Sequence, residues 1–504
     1  MRVLQKYWCP ITIVIIAAIL RTWAIEIKPP HFDEGINGWF ADQMKTTGYY
    51  NYNPENFHGP FYFYLVYTAQ ALFGRELWAL RLPAILGSLC GIIILLRSSQ
   101  IFGKVTAYTA ALMLAVSPAA VFYGRYSIHE SWFATFIILT VLGFIGMWKL
   151  GTSKYLAWFI FGIAGMLLNK ETYIIHIGCL GAAYCTLLCY NRFVPATESK
   201  WAIQQWNRQS AVYYSLSAIF LIVAFYSGWF LNLHGIVEFG RGLSAWVHTG
   251  TAQSGHAKPF FYWFSLMGRY ELVTLVGTLC CIRYMFKSNA QLRFLAIYGA
   301  GALLAYSIVA YKTPWCILAI QWPFLILLGS IISEACDMTK NHKGPLLAVA
   351  SFGILLPSLS VGLPLNFKNF DKDTEPYVYV QTIRDIAIAT SPIISAAGKD
   401  ATRYNAKGAV LLSSYYPLPW VFGDFQNIGY SANNKVVKDI DFVITEKAKA
   451  AEVESQLGGN YYAADFRLRG AQDMCRVYLK ADIYKDFLLK TKIYELKSYT
   501  RAGS

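Results

Sequence analysis

Ile27-Lys28-Pro29-Pro30-His31-Phe32-Asp33-Glu34-Gly35-Ile36-Asn37 follows directly on the first long apolar run of the chain. Two adjacent carboxylates therefore stand where the chain leaves a membrane. Beyond them come Asp42, the aromatic polar run Tyr49-Tyr50-Asn51-Tyr52-Asn53, and His58-Gly59-Pro60 opening the next apolar segment. An acidic pair that merely faces water at a membrane surface costs little, so position alone assigns no role. The setting adds more: prolines precede the pair, His31 flanks it, and the loop is too long for a simple turn. Asp33-Glu34 reads as the reactive centre of a membrane enzyme.

Composition agrees with that placement. Of 504 residues, 56% are apolar and only 14% charged, with a mean hydropathy of +0.37. These values belong to a membrane protein. The net charge of +15 comes with no basic block or RNA-binding motif, which excludes a nucleic-acid partner. The cations fall instead in short loops between apolar runs. Ten cysteines are scattered without a CxxC pair or zinc spacing and read as small buried hydrophobes. Arg2 and Lys6 before the run 8–20 resemble a signal peptide. Arg21 interrupts that run, however, and no small-residue cleavage site follows, so an uncleaved first span is expected.

Spans are expected at about 8–26, 78–96, 105–121, 131–148, 155–169, 173–190, 211–231, 270–286, 294–310, 315–333 and 345–363. With the N-terminus in the cytoplasm, the inside loops hold fourteen cations, Lys200 and Lys340 among them. They hold three acids, Glu198, Glu334 and Asp337. The positive-inside rule selects this topology, which puts Asp33-Glu34 and the C-terminal region outside a cell (inner) membrane. The Tyr-rich stretch 60–74 then reads as an interfacial helix. The fold class is thus a polytopic α-helical membrane protein of about eleven helices, residues 1–365, with outer loops at 27–77 and 232–268. The second loop is polar and Gly-rich and is expected to lack regular structure, as lids and substrate-binding segments often do. After 365 the charge density becomes ordinary. Strands at 410–414 and 441–445 and helices at 376–390 and 446–457 make residues 366–504 a small extracytoplasmic α/β domain.

Ionisable residues recur at the outer ends of the spans: Arg21, Asp33, Glu34, Arg81, Arg125, Glu130, Lys170, Glu171 and Lys312. Carboxylates suit a general base, and Arg and Lys suit the charge of a departing phosphate. Each alone is better explained as a snorkelling or solvated interfacial charge; their shared side and the short loops favour a joint role. His31, His58, His248 and His256 lie on the same side. None shows a metal-binding spacing, and hydrogen bonding explains each of them. A divalent cation held by Asp33 or Glu34 with a histidine stays an open alternative, and the cofactor is unknown. Tyr416 and Trp420, in Tyr415-Tyr416-Pro417-Leu418-Pro419-Trp420, can stack on a sugar or fill their own core. No Walker loop, Rossmann glycine pattern, GxSxG or HExxH is present, so an activated donor already in the membrane is expected.

These features resemble the GT-C fold glycosyltransferases, in the branch of protein O-mannosyltransferases and lipid A aminoarabinose transferases. The resemblance rests on the Asp-Glu pair after the first span, the helix opened by His-Gly-Pro, and Arg81-Leu82-Pro83. Arg21, His31-Phe32-Asp33-Glu34, Asn169-Lys170-Glu171, Lys312-Thr313-Pro314-Trp315 and Tyr416-Pro417-Leu418-Pro419-Trp420 are similar, more specifically, to the "flippase activity-associated" membrane proteins. The resemblance implies transfer of a sugar from a polyprenyl-phosphate-linked donor to a glycan, lipid or protein acceptor in the cell envelope, with inversion. It implies Asp33 as general base and Glu34 beside it to orient the acceptor or a cation. Arg81, Arg125, Lys170 and Lys312 become candidates for the lipid phosphate, and His58, Glu171, Tyr416 and Trp420 for other substrate contacts. Membrane lipids are the remaining partner. Protein mannosyltransferases carry lumenal repeats where this chain has an α/β domain, which leaves the acceptor class open. The competing reading is a flippase or transport component for lipid-linked glycans. That reading calls for charges at mid-membrane and paired repeats, whereas the charges here gather at one face.

Overall fold

Apolar length sets the architecture. The computed structural model describes residues 2–56, 58–196, 208–251, 256–287, 289–339, 342–433, 435–470 and 473–500. Lys200, Lys340 and Glu198, used above for orientation, lie outside them. Seven helices are long and apolar enough to cross a membrane: Leu77–Phe102, Glu130–Leu150, Tyr173–Tyr190, Arg208–Tyr226, Ala290–Ile308, Pro314–Met338 and Lys343–Phe367. Shorter apolar helices cover Trp8–Thr22, Lys104–Val116, Ser153–Leu167 and Leu272–Phe286. Each apolar segment read from the sequence therefore coincides with an observed helix. Residues 60–74 hold the helix Phe61–Phe73.

Two readings of the loops change. The acidic pair sits in the first turn of a helix, Phe32–Thr47, not in an extended loop. The stretch 232–268 is largely helical, with His234–Thr251 and the start of Tyr262–Tyr270. Gly235, Gly240 and Gly242 lower its intrinsic helix propensity, which is why the stretch reads as a loop.

The described chain divides into two compact units. One comprises Met1–Ile25 and Thr47–Lys368, and the other Glu26–Thr46 and Asn369–Ser504. The second unit is built on a six-stranded sheet in the order β2-β1-β3-β5-β4-β6. Its strands are β1 Lys407–Leu411, β2 Asn427–Tyr430, β3 Phe442–Glu446, β4 Gly459–Arg467, β5 Met474–Lys480 and β6 Glu495–Tyr499. β1 runs parallel to β2 and β3; β5 is antiparallel to β3 and β4, and β6 to β4. Val410, Phe442, Ile444 and Val477 pack with Ile386, Ala389 and Ile393 of the helix Ile386–Lys399 in one core. Val443, Tyr461 and Tyr478 pack with Val453 and Leu457 in a second. The helix expected at 376–390 begins only at Ile386. The backbone N–H of Ile383 is taken by the Leu468 carbonyl, and Thr382 bridges Arg469, so the chain is extended before that point. The helix expected at 446–457 is shorter, a 3-10 turn Lys447–Lys449 followed by Ala450–Glu454.

Candidate functional site

The acidic helix is fixed at its start by its own side chains. Glu34, fully buried, reaches back so that Oε2 accepts the backbone N–H of His31 at 2.9 Å. This is the reciprocal half of a capping box. His31 Nδ1 accepts the backbone N–H of Asp33 at 3.1 Å. Its ring proton therefore sits on Nε2 and is donated to the Tyr379 carbonyl oxygen at 2.7 Å. The Asp33 side chain is 33% exposed. Its ionisable neighbour is His31, whose Nδ1 lies 3.8 Å away. Of the two carboxylates, Glu34 closes the helix and Asp33 stays open.

The opposite face of the same helix is clamped. A Cβ at Gly35 would overlap Pro417, and one at Gly38 would overlap the Trp420 indole. The Phe32 ring stands edge-on to Tyr416 at 5.7 Å, with the Arg469 guanidinium 5.1 Å from the Phe32 centroid. At 100° per residue, Asp33 lies on the side away from Gly35 and Gly38. Trp420 is 6% exposed, its indole packed against Gly38. Tyr416 is half-buried, and burial beside Tyr415 pushes its phenol up to about 12. Arg469, missed in the sequence, holds this turn by donating to the carbonyls of Tyr416 at 3.2 Å and Ser414 at 2.8 Å.

The membrane unit carries the other candidates. His58 pairs with Lys170 in a short antiparallel bridge, and Gly59 N–H donates to the Asn169 carbonyl at 3.1 Å. This brings three sequence candidates, His58, Lys170 and Glu171, together. Lys170 Nζ is paired with the Glu130 carboxylate. Burial opposes the Lys170 ammonium, but Glu130 outweighs it and holds the group above the ordinary lysine range. His129, missed in the sequence reading, lies tilted against His58 with ring centroids 4.3 Å apart. Burial, then His58 and Lys170, keep its imidazole well below the usual histidine range, so it is neutral. His58 Nδ1, His129 Nε2, Asn169 Oδ1 and Glu171 Oε2 are buried without a hydrogen-bond partner among the described residues. His58 and Glu171 approach to 3.9 Å.

The arginines are elsewhere and occupied. Arg125 donates to the carbonyls of Leu20 at 3.0 Å, Trp23 at 2.6 Å and Ala24 at 2.7 Å. Arg81 donates to Ile25 at 2.5 Å, and Arg21 to Ala115 at 2.9 Å and to the Ser88 hydroxyl at 2.7 Å. Arg125 thus caps the Leu20 carbonyl in the last turn of Arg2–Thr22, and Arg125 and Arg81 hold the carbonyls of the turn 23–25 that follows it. Burial, and then the neighbouring Arg81 cation, bring Arg125 down to about 9, which leaves it charged at neutral pH. Lys312 Nζ donates to the Lys258 and Val309 carbonyls at 3.1 and 2.5 Å, and burial lowers its pKa.

Among the described residues no three His, Cys, Asp or Glu side chains gather to hold a metal ion. Both His31 nitrogens and Glu34 Oε2 are engaged as given above. His256 lies tilted against Tyr311 with ring centroids 4.9 Å apart, and the His248 side chain lies outside the described residues.

Residues 57–229 match the model of the dolichyl-phosphate-mannose-protein mannosyltransferase family. None of the curated proteins matches the chain. Among solved structures, ArnT from Cupriavidus metallidurans bound to undecaprenyl phosphate superposes with a TM-score of 0.65 at 14% identity, over 94% of this chain and 98% of that one. Its apo state gives 0.60 at 13%, over 95% and 99%. The archaeal oligosaccharyltransferase AglB from Archaeoglobus fulgidus, in complex with an inhibitory peptide and a dolichol-phosphate, gives 0.50 at 13%, over 93% and 75%. At such identities the likeness is one of fold. The chain is a multi-pass membrane protein whose fold is similar, from end to end, to that of ArnT.

Proposed function

We propose that the protein is a membrane glycosyltransferase that moves a sugar from a polyprenyl-phosphate-linked donor to an acceptor hydroxyl with inversion, Asp33 acting as general base. The observation that carries this reading is the split between the carboxylates: Glu34 is buried in the helix cap while Asp33 is open and, among the described residues, its side chain has no hydrogen-bond partner. The fold it shares with ArnT and AglB, structures that hold undecaprenyl phosphate and dolichol-phosphate, supports the donor class. The distribution of cations between loops supports a cytoplasmic N-terminus and chemistry on the outer face.

In the proposed step, Asp33 takes the proton of the acceptor hydroxyl as that oxygen attacks the anomeric carbon. The new C–O bond forms as the bond to phosphate breaks, and polyprenyl phosphate leaves with the electron pair. Lysines with unspent N–H groups suit that developing charge. Each ammonium has three donors. Lys170 gives one to Glu130 and Lys312 gives two to carbonyls. We assign the phosphate to these two lysines and a structural part to Arg81 and Arg125.

The test is transfer by the purified, vesicle-reconstituted protein from a panel of labelled polyprenyl-phosphate sugars. Wild type releases free polyprenyl phosphate, and Asp33→Asn does not. If no donor turns over, and lipid-linked glycan crosses the vesicle membrane equally well with both proteins, the transport reading replaces this one.

A further inference from the structure

The backbone after the helix Arg208–Tyr226 does something unusual. Gly228, Trp229 and Phe230 lie in succession at φ of 58°, 57° and 69°. Left-handed backbone is routine for single glycines and costly for aromatic residues, above all in series. Gly228 is needed there on two counts, its positive φ and the Tyr49 ring that a Cβ would strike. The turn is held by fully buried Ser227. Its hydroxyl accepts Phe230 N–H at 3.0 Å, and its carbonyl accepts Asn232 N–H at 2.8 Å. Asn232 Oδ1 then accepts the N–H of His234 at 3.2 Å, which opens the helix His234–Thr251.

The strained turn presents apolar side chains to the outside. Trp229, Phe230, Leu231 and Leu233 are all about half exposed or more. They continue the exposed apolar face of a helix long and apolar enough to cross a membrane. On Arg208–Tyr226 the exposed residues Val212, Tyr213, Leu216, Ile219 and Phe220 form one stripe at helical spacing. Phe220, in that stripe, touches Phe230 of the turn at 5.9 Å between ring centroids.

The helix His234–Thr251 then has three distinct faces over its first two turns. Gly235, Phe239 and Gly242 form the inner face: Phe239 packs on Tyr226 at 4.4 Å, and side chains at Gly235 and Gly242 would strike Tyr226 and the Tyr52 hydroxyl. Ile236 and Val237, aligned with Leu233, are exposed and apolar. On the third face His234 and Arg241 are exposed around Glu238, at 2.9 and 2.7 Å. Protein on one side, an uncovered apolar face on the second and charge on the third is the pattern of a helix lying in a membrane interface.

We propose that the left-handed turn Gly228–Phe230 lays the helix His234–Thr251 flat in the lipid headgroup region. Leu233, Ile236 and Val237 enter the acyl boundary, and His234, Glu238 and Arg241 face water. The occupant of the apolar face is the phospholipid surface of the membrane that Arg208–Tyr226 crosses. This inference needs only a multi-pass membrane protein, so it stands or falls independently of the reaction proposed above.

The test uses full-length protein in vesicles of phosphatidylcholine and phosphatidylglycerol. Nitroxides are attached through a genetically encoded ketone side chain at Val237, at Arg241 and, as the lipid-facing reference, at Leu216. Collisional relaxation by oxygen, which concentrates in lipid, is compared with that by a water-soluble nickel chelate. The expected result is an oxygen-to-nickel ratio at 237 that matches 216 and exceeds that at 241 several-fold. Equal, nickel-dominated relaxation at 237 and 241 overturns the proposal by placing the helix in water. A label at 237 shielded from both reagents overturns it too, because another protein surface then covers the face. A second variant, Gly228→Ala, is expected to lower the oxygen-to-nickel ratio at 237 without altering that at 216.

Discussion

Asp33 and Glu34 are neighbours in sequence and opposites in use, because residues one apart on a helix point about 100° apart. Replacing Asp33 by Asn removes the open carboxylate and leaves the cap intact. Turnover is expected to fall by about 100-fold or more, with an unchanged melting midpoint. Glu34→Gln is the mirror case. It weakens a charge-assisted cap and is expected to lower stability by about 1 kcal/mol, readable as a lower thermal midpoint in detergent. The sequence placed the pair at the membrane boundary but not its division of labour, which depends on where the His31 backbone N–H points. Arg81 and Arg125 were legible as cations at the outer ends of their spans. That they hold the carbonyls where the first helix gives way to the turn 23–25 was not, because those carbonyls come from a segment about a hundred residues from Arg125. The Lys170–Glu130 pair yields a third expectation. Glu130→Gln leaves a buried ammonium without its anion and is expected to cost about 3 kcal/mol. Adding Lys170→Met should recover most of that midpoint, as a double-mutant cycle would show.

At the level of elements, glycine explains both what was legible and what was missed. Gly35 and Gly38 let the acidic helix come close to Pro417 and Trp420. Gly38→Leu overpacks that contact and is expected to cost about 1–3 kcal/mol; differential scanning fluorimetry of the detergent-solubilised protein reads the loss. Sequence reasoning saw the Pro-rich turn 415–420 but not its helical partner, which lies hundreds of residues away. In 232–268 the glycines suppressed the helical reading, although packing on Tyr52 and Tyr226 stabilises a helix there. No sequence pattern announces Trp229 and Phe230 in left-handed backbone.

Across the whole molecule, apolar length was the most legible signal, and each expected span coincides with a helix. The grouping of Glu26–Thr46 with Asn369–Ser504 was hidden, because contacts between distant stretches leave no local trace. It makes a prediction about fragments. Residues 369–504 expressed alone expose Pro417 and the Trp420 indole and are expected to aggregate. The same fragment carrying residues 26–46 through a flexible linker is expected to stay soluble; size-exclusion chromatography compares the two.

That grouping also puts a clock on biosynthesis. The acidic helix leaves the ribosome early, and its partner begins at Asn369, some 323 residues after Thr46 (369 − 46). At about 5–20 residues per second the wait is roughly 16–65 s. Most of the apolar helices are synthesised in that interval, while Gly35 and Gly38 have nothing to close on. The acidic helix is thus born as an orphan and adopted last, so a ribosome that stalls before residue 369 releases a chain whose acidic helix has never docked.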